Sequence, residues 1–517
     1  MHSFVLDING ERRPVDRYWE MMVGSCHAAT ALREDYRAQL RQCRHDIGFR
    51  YMRFHGLFND DMSVAKKKLL GDEIVLSFTN IDSVFDFLLS IGMKPFVELG
   101  FMPSCFASGT QTVFHYKGNV TPPVDHAQWA WFIRRFVEHL IERYGRDEVR
   151  QWYFEVWNEP NLGGESGIPG GSFWAGDMQD YFELYRSTAF AVKSVDSRLP
   201  VGGPATSNNA WIPELLVFCR GNGVPIDFVS THHYPTDVVL GYGVENSLNF
   251  IERLRKTDKD DKPALQALAC EYFAFQEHLW EHVDRGVLTE MARRAAEQSQ
   301  GLPLFYTEWS SLAGLPSDGS FGASFIAKTA MDNMGLAQGY AYWTFSDIFE
   351  ESGMPSAAFH GGFGLMTLQG IAKAPYRVFQ LLHMLGGERY AAQYAGETLD
   401  IYAFEKAQSH AVQLLAVNHH SLLHEIQEET AEITLEGLGD ARQLHAELYR
   451  VDDSRANALA AWEAMGRPEY LTQGQTDTLK GASALERETI SIPVEAGKAT
   501  LTLAVPPMGT ALLNIYL

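Results

Sequence analysis

Two glutamates in this 517-residue chain stand where acid–base and nucleophilic chemistry could be done. Glu159 lies in Glu155-Val156-Trp157-Asn158-Glu159-Pro160-Asn161, and Glu308 lies in Tyr306-Thr307-Glu308-Trp309-Ser310. Each motif ends a short apolar run, so each glutamate is expected at the end of a strand. Facing carboxylates are what glycosidic-bond cleavage needs. One protonates the leaving oxygen; the other attacks or assists at the anomeric carbon. Mutual repulsion and burial would keep one of them protonated near neutral pH. Taken alone, Glu308 reads equally well as an exposed loop-edge residue. The pairing of two such post-strand motifs favours chemistry, and their distance in sequence means that only the fold can unite them.

The elements that must position them recur along the chain. Short apolar runs at 21–26, 51–58, 95–101, 152–157, 200–204, 228–233, 304–309 and 339–345 read as strands. Helical patterns alternate with them, at 81–89, 127–144, 181–195, 325–334 and 376–385. In 127–144, Trp131, Phe132, Phe136, Leu140 and Ile141 recur at helical spacing. The strand runs are apolar on both faces, as a parallel sheet covered by helices requires. Eight strand–helix units predict an α/β chain with a (β/α)8 TIM barrel; a doubly wound open sheet is the alternative. Barrel active sites lie at the C-terminal ends of the strands. Strands four and seven would bring Glu159 and Glu308 to that rim from opposite sides.

Ten of the eleven tryptophans precede residue 387; only Trp462 follows. From there the chain shows short strands at 398–404, 411–417, 432–435, 500–505 and 511–517, the spacing of a β-sandwich. Residues 3–8 alternate similarly, with Phe4, Leu6 and Ile8 on one face. The expected division is a catalytic barrel over 17–386 and a C-terminal sandwich over 387–517, which residues 1–16 join by a strand.

Taken together, these motifs resemble retaining glycoside hydrolases built on a (β/α)8 barrel. Four further stretches, Arg53-Phe54-His55-Gly56-Leu57-Phe58, Val97-Glu98-Leu99-Gly100-Phe101-Met102-Pro103, Thr231-His232-His233-Tyr234-Pro235 and Tyr342-Trp343-Thr344-Phe345-Ser346-Asp347, resemble family 39 of that group, which holds β-xylosidases and α-L-iduronidases. The resemblance implies that Glu159 is the general acid/base and Glu308 the nucleophile, with Asn158 binding the sugar 2-hydroxyl. Arg53 and His55 share strand parity; Arg53 would hold Glu308 ionised and His55 would bind sugar hydroxyls. His232 would also bind sugar and Tyr234 would donate to the nucleophile, with His233 structural. Trp309 and Trp343 are candidates for either a sugar platform or core packing. Glu350 and Glu351 would cap the non-reducing sugar, or simply form a solvated loop. Phe101 and Phe173-Trp174 are candidates for the pocket walls.

Composition narrows the partners. Lys and Arg number 43 against 65 Asp and Glu, a net charge of −22, which disfavours a nucleic acid partner. A neutral oligosaccharide fits best. No apolar stretch is long enough to span a membrane. The five cysteines and the absence of an apolar leader near Met1 point to a cytoplasmic protein. His278-Leu279-Trp280-Glu281-His282 matches a zinc pattern, but lies in an insertion between strands six and seven, beside Glu277 and Asp284. No cofactor or metal is expected. The reading is a retaining, exo-acting β-xylosidase that releases xylose from short xylo-oligosaccharides, as a monomer or homo-oligomer. The alternatives are a β-glycosidase for another neutral sugar and an inactive sugar-binding protein.

Overall fold

The computed structural model describes the whole chain except residues 1, 163–172, 236–252, 255, 259–260, 269, 272–282, 312–313, 352 and 423. Eight parallel strands close into a barrel, which decides against the open sheet. They are β1 (Met22–His27), β2 (Tyr51–His55), β3 (Lys94–Glu98), β4 (Tyr153–Glu155), β5 (Val201–Thr206), β6 (Phe228–His233), β7 (Leu304–Trp309) and β8 (Gly339–Tyr342). β8 pairs with β1 to complete the ring. The sequence-based strand ranges fall on all eight.

Helices cover the outside. His126–Tyr144 shows why they form and stop where they do. The Asp125 side chain accepts from the Ala127 N–H at the N-terminus, and Gly145 follows the last turn. Trp129, Phe132, Ile133, Phe136, Val137 and Leu140 face the barrel, while Trp131 lies on the exposed outer face. No helix among the described residues is long and apolar enough to cross a membrane.

Inside the barrel, alternation sorts the side chains into two layers. Phe96, Phe228 and Phe305 plug the lower end, with ring centroids 5.4–5.6 Å apart. Two residues further along β3 comes Glu98, and the same step along β2 leads from Tyr51 to Arg53 and then His55. The upper layer is therefore polar, and it forms the floor of the mouth.

The second unit is a ten-stranded sheet folded over its own core. The N-terminal strand His2–Asp7 pairs in parallel with Glu429–Glu436, burying Phe4 and Leu6 against Ile433 and Leu503. Four strands, Arg12–Pro14, Glu388–Ala395, Gln443–Val451 and Arg487–Glu495, have no counterpart in the sequence-based reading. Between the latter two, helices Ala458–Ala464 and Gln473–Ala482 leave the sheet and dock on barrel loops. Trp462 packs there on Phe359, beside Ile371 and Leu479. The lone C-terminal tryptophan thus serves the junction between the two units, where it places a large apolar surface.

Candidate active site

Glu308 faces the mouth because β7 breaks its alternation. Thr231 pairs with Tyr306, yet His232, the next residue, pairs with Glu308. This β-bulge leaves Thr307 as the extra residue and re-aims the strand end. Thr307 points inward, where its Oγ1 donates to Glu155 at 2.7 Å. Glu308 then turns into the mouth, and Trp309 turns out into the helix layer.

Arg53 is the hub beneath it. The side chain is fully buried. Its Nη1 donates to Glu308 Oε1 at 2.8 Å, its Nε to Glu155 Oε2 at 2.6 Å and its Nη2 to Asn158 Oδ1 at 2.9 Å. Glu98 Oε2 also lies 2.9 Å from Nη2. Burial opposes the charge on Arg53, but Glu155, Glu98 and Glu308 outweigh it and hold the guanidinium above its ordinary pKa. Burial likewise raises the Glu308 carboxyl, against the pull of Arg53, His55 and a hydrogen bond from Tyr234. Tyr234 donates to Glu308 Oε2 at 2.8 Å. His55 Nε2 lies 3.4 Å from Glu308 Oε1. Asn158 Nδ2 is buried with no protein partner, leaving a donor in the mouth once Oδ1 is taken by Arg53.

Glu159 approaches from the other side. Its backbone N–H donates to Ala205 O at 2.8 Å, tying the end of β4 to β5, and its φ of 42° turns the chain sharply there. His232 Nδ1 lies 3.0 Å from Glu159 Oε1. One oxygen of Glu159, one of Glu308 and a nitrogen of His232 all lie within 4.8 Å of one another. Retaining glycosidases hold their two carboxyl groups about 5–5.5 Å apart, whereas inverting ones leave roughly 6.5–9.5 Å for a water. The nearest oxygens of Glu159 and Glu308 thus approach more closely than the gap an inverting enzyme keeps for its water.

The family model for glycosyl hydrolases family 39 matches residues 2–257 and 267–499. The chain belongs to that family. It is 44% identical to a β-xylosidase of Caldicellulosiruptor saccharolyticus over 97% of this chain and 96% of the relative. It is 35% identical to a β-xylosidase of Geobacillus stearothermophilus over 91% and 87%. A crystal structure described as a monomeric β-xylosidase from Caulobacter crescentus CB15 superposes with a TM-score of 0.81 at 32% identity, covering 100% of this chain and 99% of that one.

In this family 39 chain, two sequence-based expectations for the rim need correction. Trp309 is not a sugar platform. It is fully buried and stacks on Tyr340, with centroids 4.3 Å apart, against Phe325 and Phe379. As the neighbour of an inward Glu308, it must face outward. His232 is not open to sugar hydroxyls. It is fully buried, and its two nitrogens lie on Glu159 and, at 3.1 Å, on Thr307 Oγ1. Burial holds the imidazole well below its usual pKa, so it meets Glu159 as a neutral ring. His233 points outward and stacks on Tyr306 at 3.7 Å.

Trp343 lies at the mouth beside His55, with centroids 4.7 Å apart. Glu350 Oε2 comes within 3.7 Å of His27 Nδ1, and the Glu350 N–H donates to Cys26 Sγ. Burial, then the Glu308 charge, pushes the Glu351 carboxyl well up. Residues missed in sequence complete the wall. A small hairpin pairs Thr112–Val113 with Gly118–Asn119 and carries Phe114 and Tyr116. Phe114 lies parallel to His55 at 6.2 Å and contacts Phe173 at 5.2 Å, with Phe101 behind it. Tyr116 stacks on His27 at 3.8 Å. The His115 N–H donates to Glu351 O, joining this hairpin to the loop after β8. The zinc-like pattern at 278–282 lies outside the described residues.

Proposed function

We propose that this chain is an exo-acting β-xylosidase that works by double displacement, with Glu308 as nucleophile and Glu159 as acid/base. The observation that carries the reading is the close approach of these two carboxylates across the mouth. Glu308 attacks the anomeric carbon as the glycosidic C–O bond breaks, and Glu159 gives its proton to the departing oxygen. The glycosyl ester on Glu308 is then cleaved by water. Glu159 takes the water's proton, its oxygen bonds to the anomeric carbon, and Glu308 leaves as carboxylate. Asn158 holds the sugar 2-hydroxyl through its spare N–H, while Arg53 and Tyr234 fix Glu308. His55, Trp343, Glu350 and Glu351 form the sugar-binding wall. The catalytic unit is 17–386, and the sandwich unit is 1–16 with 387–517.

Xylose as the sugar is supported by the two β-xylosidases that match over most of this chain. A cytoplasmic location is part of the same reading, supported by five free cysteines, of which Cys26, Cys43 and Cys219 are buried.

A panel of aryl β-glycosides tests the sugar, and short xylo-oligosaccharides test the mode of attack. The xyloside should be hydrolysed with the highest kcat/KM, and xylose should appear singly from chain ends. A glucoside, galactoside or arabinoside that outpaces the xyloside would reassign the sugar. Longer products appearing first would mean an open cleft. Binding of xylo-oligosaccharides without turnover would make the protein a sugar-binding one.

A further inference from the structure

Three carboxyl groups face one guanidinium in the upper barrel layer: Glu98, Glu155 and Glu308 around Arg53. A single positive charge cannot compensate three buried negative ones, so the proton must rest where the anion is least supported. Glu155 accepts from Arg53 Nε at 2.6 Å and from Thr307 Oγ1 at 2.7 Å. Glu308 accepts from Arg53 Nη1 and from the Tyr234 hydroxyl, each at 2.8 Å. Glu98 is poorer in donors. Arg53 Nη2 donates to Asn158 Oδ1, whereas Glu98 Oε2, though 2.9 Å from the same nitrogen, takes no aligned hydrogen bond from it. Glu98 Oε1 is buried with no partner, and Oε2 has His55 Nδ1 at 2.8 Å. Arg53 and His55 from β2, Glu155 from β4, Glu308 from β7 and Tyr116 from the hairpin make up its charged and titratable surroundings.

We propose that Glu98 is a neutral carboxylic acid in the resting enzyme, donating its proton to His55 Nδ1 and so fixing the imidazole tautomer that presents Nε2–H toward Glu308. A proton on Oε1 would have nowhere to go, whereas one on Oε2 makes the 2.8 Å bond to the ring. With Nδ1 occupied as acceptor, Nε2 must carry the ring proton. That N–H then faces the carboxylate 3.4 Å away, adding a donor to those from Arg53 and Tyr234. Directions of titration agree. Burial pushes Glu98 up to about 8, against Arg53, and burial brings His55 down to about 3, leaving a neutral ring. Glu98 is thus a positioning residue that acts through His55, and the assignment of Glu308 under the proposed function underlies its catalytic meaning.

¹⁵N NMR of the histidine-labelled, substrate-free enzyme at pH 6 tests the tautomer, with His55 assigned from the spectrum of His55→Asn. The expected result is a bare Nδ1 and a protonated Nε2. A protonated Nδ1 would overturn the proposal. The readout involves no turnover, so it stands or falls separately from the glycosidase reading. Activity gives a second test. Glu98→Ala should lower kcat/KM on an aryl xyloside, and Glu98→Gln should recover at least about tenfold of that loss, since its amide N–H can still donate to His55 Nδ1. Equal losses in the two variants would also overturn the proposal.

Discussion

Glu308→Gly is expected to lower hydrolysis of an aryl xyloside by roughly 10⁵-fold or more, the scale on which loss of a covalent nucleophile is felt. The argument is geometric. Arg53, Tyr234 and the β7 bulge all aim this carboxylate, and Glu159 approaches from the opposite side. The fold should persist, because Arg53 keeps its hydrogen bonds to Glu155 and Asn158. The vacated space should admit a small anion. Added azide is then expected to restore turnover of an activated substrate and give the α-xylosyl azide, identified by NMR. Hydrolysis within tenfold of wild type, in a variant with unchanged melting temperature, would place the nucleophile elsewhere.

Removal of Glu159 should discriminate between substrates. In Glu159→Ala, xylosides with poor leaving groups are expected to slow by ~10²–10⁴, the usual worth of general acid assistance. Glycosylation by substrates with activated leaving groups should be affected far less, because their departing oxygen needs no proton. The measurement is kcat/KM against leaving-group pKa, whose slope should steepen in the variant. Equal slowing across the series would remove Glu159 from the acid role. His232 shares in this site, since it lies 3.0 Å from Glu159 and meets it as a neutral ring.

Much of this was legible in the residues, for identifiable reasons. Parallel strands buried on both faces read as apolar runs, so all eight barrel strands could be found. Arg53 and His55 follow regular alternation, and parity alone aims both inward. Glu308 does not. Counting by twos from the inward Phe305 sends Glu308 outward and Trp309 inward; the bulge reverses both. Its place at a strand end, paired with Glu159, rather than periodicity selected Glu308, and Trp309 was misjudged beside it. Glu98 did carry a signal, a lone carboxylate in an apolar strand two residues after the inward Phe96. Phe114 and Tyr116 carried none, because a hairpin with two-residue strands has no period to detect. In the sandwich, Glu388–Ala395 was missed because most of its residues are exposed, whereas Arg487–Glu495 did carry a signal, the alternation of Ile490, Ile492 and Val494 toward the core.

The central claim is that the sugar passes through a covalent bond to Glu308, which inverts the anomeric centre twice. ¹H NMR of the first product formed by the wild-type enzyme, recorded before mutarotation, tests it most directly. The account predicts β-xylose as the initial anomer, with α-xylose growing in only afterwards. Initial release of α-xylose would mean a single displacement by water, and would contradict both the two-step mechanism and the role given to Glu308.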